Sequence, residues 1–151
     1  MQVRAKILLD NRKTILNVPL RMRESWIQLA VPVFNLCICD SGVNPTVAYK
    51  SIMFTEVPND PCLKCFYRCL AVKLKIMDAI TGEFMEEQIL RQVQGITPAL
   101  FKKCNDKVKD EVDLCKKAFE GYMCIIHAAE QPVPQPEAYH PVTTETPIDR
   151  C

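Results

Sequence analysis

Apolar residues recur at helical spacing along most of the chain, and three of the segments that carry them open with the same local grammar. Asn44-Pro45, Asp60-Pro61 and Thr97-Pro98 each set a short polar side chain before a proline. The polar oxygen can accept an orphan backbone N–H, and a proline at the first helical position gives up an N–H that has no partner there. Val47, Ala48, Ile52 and Met53 follow Asn44. Leu63, Phe66, Leu70, Leu74 and Met77 follow Asp60, with Lys64, Arg68, Lys73 and Lys75 largely on the other side. Leu100, Phe101 and Cys104 follow Thr97. Each pattern predicts an amphipathic helix whose apolar face needs a shared core.

Three further segments fit the same period. Residues 23–39 predict a helix that Pro32 should kink or split. Residues 83–94 place Phe84, Met85, Ile89, Leu90 and Val93 at helical spacing between Gly82 and Gly95. Residues 110–128 do the same with Val112, Leu114, Cys115, Phe119, Tyr122, Met123, Ile125 and Ile126. No stretch alternates apolar and polar residues for long enough to predict a strand. The expected organisation is a basic N-terminal extension over 1–22, a six-helix domain over 23–129 and a tail over 130–151. The tail is too rich in proline to hold a helix and reads as extended chain.

Length and composition narrow the picture. With 151 residues, 48% apolar and 25% charged, the chain suits one globular domain. Its four glycines do not supply glycine-rich phosphate loops, and its apolar runs fall far short of the roughly 20 residues that span a bilayer. The net charge of +1 is unevenly placed. Residues 1–25 carry +4 and the remainder −3, so the body lacks the clustered basic face that nucleic acid requires. The first residues read as a disordered arm or the product of a mispredicted first exon, because Asp10, Asn11, Arg12 and Lys13 interrupt any secretory apolar core.

Nine cysteines point the other way, to an oxidising compartment and a secreted protein. From Cys65 the spacing is C-x3-C-x34-C-x10-C-x8-C, ending at Cys124. Cys65 and Cys69 share one helix face, whereas Cys115 and Cys124 lie 2.5 turns apart and point to opposite sides. Six cysteines allow 15 pairings, and spacing alone selects none. Cys62-x2-Cys65 has the spacing of a zinc knuckle, so an intracellular, zinc-stabilised helical interaction domain is the alternative reading, with Cys37, Cys39 and His127 as further ligands. No hydrolase, metalloprotease or phosphate-loop motif occurs, and paired acids such as Glu86-Glu87 suit an exposed helix face. Neither catalysis nor a cofactor is expected.

From residue 23 to residue 128 the sequence resembles the insect odorant-binding proteins, the pheromone and general odorant-binding family. The resemblance rests on Cys65, Cys69, Cys104, Cys115 and Cys124 with their x3 and x8 gaps, on Cys37 in "CICDSGV", and on "DAITGEF" ending at Phe84. It implies an all-α fold: six short helices around a hydrophobic cavity, crosslinked by three disulfides. By resemblance these pair Cys37–Cys69, Cys65–Cys115 and Cys104–Cys124, with Cys39 as the other candidate for the first cysteine. Cys39–Cys62 is a candidate fourth bridge, leaving Cys151 free or paired between chains.

The resemblance also implies a secreted carrier of small hydrophobic molecules such as odorants or pheromones, a monomer or weak homodimer, with a chemosensory receptor as a further partner. By resemblance Ala71, Ile76 and Phe84 line the pocket. Periodicity adds Leu90, Val93, Phe101, Phe119 and Tyr122, with ordinary core packing as the competing role for each. Tyr122 offers a hydroxyl that needs a partner when buried. His127, the one histidine of the helical body, is a candidate for acid-linked ligand release.

Overall fold

A computed structural model describes residues 14–132. Six helices form among them: α1 (Leu20–Ser41), α2 (Pro45–Met53), α3 (Pro61–Lys73), α4 (Glu86–Gln92), α5 (Pro98–Val108) and α6 (Leu114–Ala129). The expected proline-rich tail and Cys151 lie outside the described residues from 133 onward, as do residues 1–13. Of the expected extension 1–22, the described part contains β1 (Thr14–Ile15), buried Val18 and the first turn of α1. β1 pairs antiparallel with β2 (Glu56–Val57), Thr14 opposite Val57. Two-residue strands are too short to show an alternating pattern, so the sequence carried no sign of them.

Local capping sets the helix starts. Asn44 Oδ1 accepts from Thr46 N at 2.8 Å, Asp60 Oδ1 from Cys62 N at 2.8 Å, and Thr97 Oγ1 from Leu100 N at 3.1 Å. Asp113 caps α6 through Cys115 N at 3.0 Å and Lys116 N at 3.2 Å, which moves the start of the last helix to Leu114. α1 ends at Gly42, whose φ of 75° suits a residue without Cβ and lets its N–H reach Ile38 O. Pro32 does not split α1. Pro32 and Gln28, whose carbonyl loses its helical partner, both lie on the exposed side, where water can take the place of the missing N–H.

The expected helix over 83–94 is shorter than its periodicity suggests. Residues 76–85 instead fold back on themselves, with Met85 N donating to Ile76 O at 2.9 Å and Phe84 bridged to Met77. Asp78 organises the turn by accepting from Thr81 N at 2.7 Å and Ile80 N at 2.9 Å, which holds its exposed carboxyl below the usual carboxylate range. Phe84 is therefore presented from a loop.

α3 is the centre of the fold and packs most extensively against α6 and then α1. Its Leu63, Phe66, Tyr67, Leu70 and Ala71 follow the i, i+3, i+4, i+7, i+8 pattern, and all are buried. Crosslinks fix this arrangement: Cys37–Cys69 joins α1 to α3, Cys65–Cys115 joins α3 to α6, and Cys104–Cys124 joins α5 to α6. Cys37 thus takes the first-cysteine position.

The fourth bridge expected between Cys39 and Cys62 is not formed. Cys62 is a free, exposed thiol, and Cys39 is disulfide-bonded elsewhere. The reason is rotational: Cys39 stands about 200° around α1 from Cys37, the residue that faces α3. Cys62 also lies about 10 Å along α3 from Cys69.

Removal of the Asp113 cap tests this reading of the last helix. Asp113→Ala should lower stability in urea by about 1 kcal/mol. Asp110→Ala, four residues before the helix, should leave the urea midpoint unchanged.

Candidate functional site

The helices line a partly open cavity of about 140 Å³. α3 supplies Tyr67, Leu70 and Ala71, with Leu74 following, while α1 supplies Trp26, Leu29 and Ala30. Phe101, Cys104, Asn105 and Val108 of α5 face Ala118, Gly121, Tyr122 and Ile125 of α6. Ile52, Ile76, Phe84, Ile89, Val93 and Ile96 complete the wall. An apolar cavity of this size class holds a molecule of about benzene size.

Six of the eight residues named from the sequence come together here: Ala71, Ile76, Phe84, Val93, Phe101 and Tyr122. Leu90 and Phe119 are not in the wall. Leu90 is half-buried on α4, one position round from lining Ile89. Phe119 is buried in the neighbouring core, edge-on to Tyr67 at 6.2 Å, with the Lys64 ammonium 5.5 Å from its ring centre. His127 is exposed near the end of α6 and does not line the cavity.

Phe84 reaches the wall because α6 leaves room for it. A Cβ at Gly121 would stand 3.1 Å from Phe84 Cζ, tighter than ordinary carbon contacts. One turn earlier, the Lys117 ammonium sits 5.7 Å from the Phe84 ring centre while its stem is buried. Glycine and lysine at that spacing thus form a seat for an aromatic ring contributed by a loop.

Polar atoms at the cavity are largely committed to the protein itself. Ser51 is fully buried at the end of α2, and its hydroxyl donates to Ala48 O at 2.7 Å. A serine hydroxyl has one hydrogen, so the 2.7 Å contact between Ser51 Oγ and the Tyr67 hydroxyl must have Tyr67 as donor. The Tyr122 hydroxyl donates to Ser51 O, and Trp26 Nε1 donates to Gln94 O at 2.9 Å. The Tyr67 and Tyr122 rings stack with centroids 4.3 Å apart and 19° between planes. Trp26 meets Tyr122 edge-on at 6.2 Å.

Burial, foremost, raises the pKa of both phenols, and the proximity of Tyr122 adds to the rise at Tyr67. Tyr122 keeps ring surface open to the cavity even though its hydroxyl is desolvated.

Trp26, Ser51 and Tyr67 were not among the cavity residues expected from helical period or family resemblance. Tyr67 follows Phe66 on the buried stripe of α3, a position that helical spacing could have marked. Ser51 carried no signal, since serine in an amphipathic helix ordinarily reads as surface.

No metal site forms from the zinc-knuckle spacing. Cys65 and Cys69 are consumed by disulfides to Cys115 and Cys37 and cannot act as thiolate ligands, which leaves the zinc alternative without support. Among the described residues no group of three or more potential ligands clusters. No helix among them is long and apolar enough to cross a membrane.

Two predictions follow from the buried phenols. Tyr122→Phe should cost about 0.5–1.5 kcal/mol of stability in urea. It should change ligand affinity by about twofold at most, since the hydroxyl already serves Ser51. The folded-state pKa values of Tyr67 and Tyr122 lie above the ordinary 10.0, so their stabilising effect is complete below that pH. It is lost as pH rises from there towards the folded values, because the unfolded chain releases those protons first. Absorbance titration should show both phenols still protonated above pH 10.0, with denaturant stability falling as the pH rises further.

The comparisons agree with this architecture. The model of the PBP/GOBP family matches residues 23–128, a span from the first turn of α1 to the last of α6. No curated protein matches the chain, and no solved structure matches it. With the family's match covering more than half of its length, the chain belongs to the PBP/GOBP family, the insect odorant- and pheromone-binding family of small carriers.

Proposed function

We propose that the protein takes up one small hydrophobic molecule in the cavity between its helices and carries it through aqueous extracellular fluid. The observation that supports this most directly is an apolar space of about 140 Å³ in the interior, where a protein ordinarily packs side chains. Binding there draws on burial of apolar ligand surface, about 25 cal/mol per Å² removed from water. Three crosslinks among the described residues suit an oxidising compartment. Membership of a carrier family supports delivery of odorants, pheromones or similar molecules, with a chemosensory receptor as the recipient. In this reading Ala71, Ile76, Phe84, Val93, Phe101 and Tyr122 touch the ligand, Leu90 and Phe119 support the wall, and the carrier acts as a monomer or weak homodimer.

Trp26 is the single tryptophan of the chain and stands in the cavity wall, so its emission reports on occupancy. Titration with toluene should change Trp26 emission saturably, with one-to-one stoichiometry by calorimetry. Ala71→Leu, which fills the space from α3, should weaken binding by about tenfold or more while far-ultraviolet circular dichroism stays unchanged. Absence of saturable binding to the wild type would remove the carrier reading. Equal affinity in a folded Ala71→Leu variant would move the ligand out of this cavity.

A further inference from the structure

We propose that Cys39 and Cys151 form a fourth disulfide, which straps residues 133–151 along the outer face of α1. Six of the nine cysteines form the three bridges already described, and Cys62 is a free thiol. Cys39 is disulfide-bonded, and Cys151 is the one cysteine of the chain left to be its partner. Forming the bond takes two protons and two electrons from the two thiols. Exchange with a disulfide oxidant passes both electrons to that oxidant, which leaves as a dithiol.

The chain is pinned at the opposite end of α1, where this segment begins. Gln131 N donates to Asn17 O at 2.7 Å, and Asn17 Nδ2 donates to Pro132 O at 2.9 Å. Asn17 stands three residues before α1, whereas Cys39 lies close to its far end. From Leu20 to Cys39 the helix rises about 30 Å. The 19 residues from 133 to 151, extended as their prolines favour, reach about 60 Å. The segment therefore spans the helix with length to spare.

The outer face of α1 suits such a cover. From Ser25 to Cys39 the helix has no charged residue, although a solvent face ordinarily carries them. Val31 is 58% and Leu36 54% exposed there, beside exposed Gln28, Pro32, Asn35 and Cys39. Residues 133–144 are matched in charge, with Glu137 their single carboxylate and no lysine or arginine. Val133, Tyr139 and Val142 of that stretch supply apolar surface for Val31 and Leu36. The Gln28 carbonyl, which Pro32 leaves without a helical donor, and the Asn35 amide offer hydrogen bonds to a chain that makes few of its own. Trp26, Leu29 and Ala30 meet the cavity from the other side of α1, so the strap leaves the ligand site uncovered.

Thiol titration in denaturant without reductant tests the bond. The wild type should show one thiol, Cys39→Ser and Cys151→Ser two each, and the double variant one. Three thiols in the wild type, or none in either single variant, would overturn the pairing, as would a reducible dimer that Cys151→Ser abolishes. If the variants do not fold, non-reducing peptide mapping of the wild type decides instead. Cys151 should then be recovered attached to the peptide that carries Cys37 and Cys39, and recovery elsewhere would overturn the pairing.

Methyl resonances of the full chain test the course of the strap. A soluble gadolinium chelate should broaden Val31 and Leu36 less than Ile80 and Val112, both 90% exposed. Broadening at Val31 and Leu36 should rise in Cys151→Ser while Ile80 and Val112 stay unchanged. Equal broadening in the two proteins would overturn the placement on α1. Toluene titration through Trp26 emission should be the same in both proteins, and altered affinity in Cys151→Ser would contradict a strap that leaves the cavity uncovered. No toluene binding to either protein defeats the carrier reading alone, with the thiol count and the broadening still deciding the strap.

Discussion

Among the described residues three covalent crosslinks hold four helices around a centre that their side chains do not fill. An empty space of about 140 Å³ is a liability, since lost packing costs roughly 24 cal/mol per Å³, or about 3 kcal/mol here. Each disulfide closes a loop of 20 to 50 residues and contributes about 3–4 kcal/mol in the chain-entropy account. One bridge therefore offsets the cavity, and the other two remain to support a small core. The bridges are also placed where the cavity needs them. Cys104 is itself part of the wall, and Cys69 adjoins lining Leu70.

Helices α2 and α4 carry no cysteine and are held by other means. α2 is tied in by Ser51, which binds the Tyr67 hydroxyl through its side chain and the Tyr122 hydroxyl through its carbonyl. That network joins α2, α3 and α6 at the edge of the cavity and leaves neither phenol donor unpaired, which a desolvated site requires. α4 is anchored by Gln92 Nε2 on Leu74 O at 2.9 Å and by Ile89 in the wall. The donors spent in keeping the walls together are donors withheld from a ligand. Stability and ligand chemistry are thus linked through the same few atoms.

Features set by short-range chemistry were legible in the sequence. The Asn44, Asp60 and Thr97 caps stand beside the prolines that mark them, and the i, i+3, i+4 stripe of α3 points to one buried face. Of the lining residues, Ala71, Ile76 and Phe84 followed from family resemblance, and Val93, Phe101 and Tyr122 from helical period. What escaped depended on distant partners. Ser51 is buried because Tyr67 and Tyr122 lie 16 and 71 residues away. Phe119 follows the apolar pattern of α6 but turns into the core beside Tyr67, and period alone does not separate a wall facing a cavity from one facing a neighbour. Cys39 and Cys62 lie close in sequence to bridged cysteines, but rotation about α1 carries Cys39 away from α3.

The claim that crosslinks keep the cavity open is tested most directly by measuring toluene binding through Trp26 emission before and after complete reduction and alkylation. Circular dichroism should be recorded on the same samples. The account predicts that the reduced chain loses saturable binding as its helices lose their fixed separation. Undiminished affinity in the fully reduced protein would contradict it, showing that packing alone maintains the cavity.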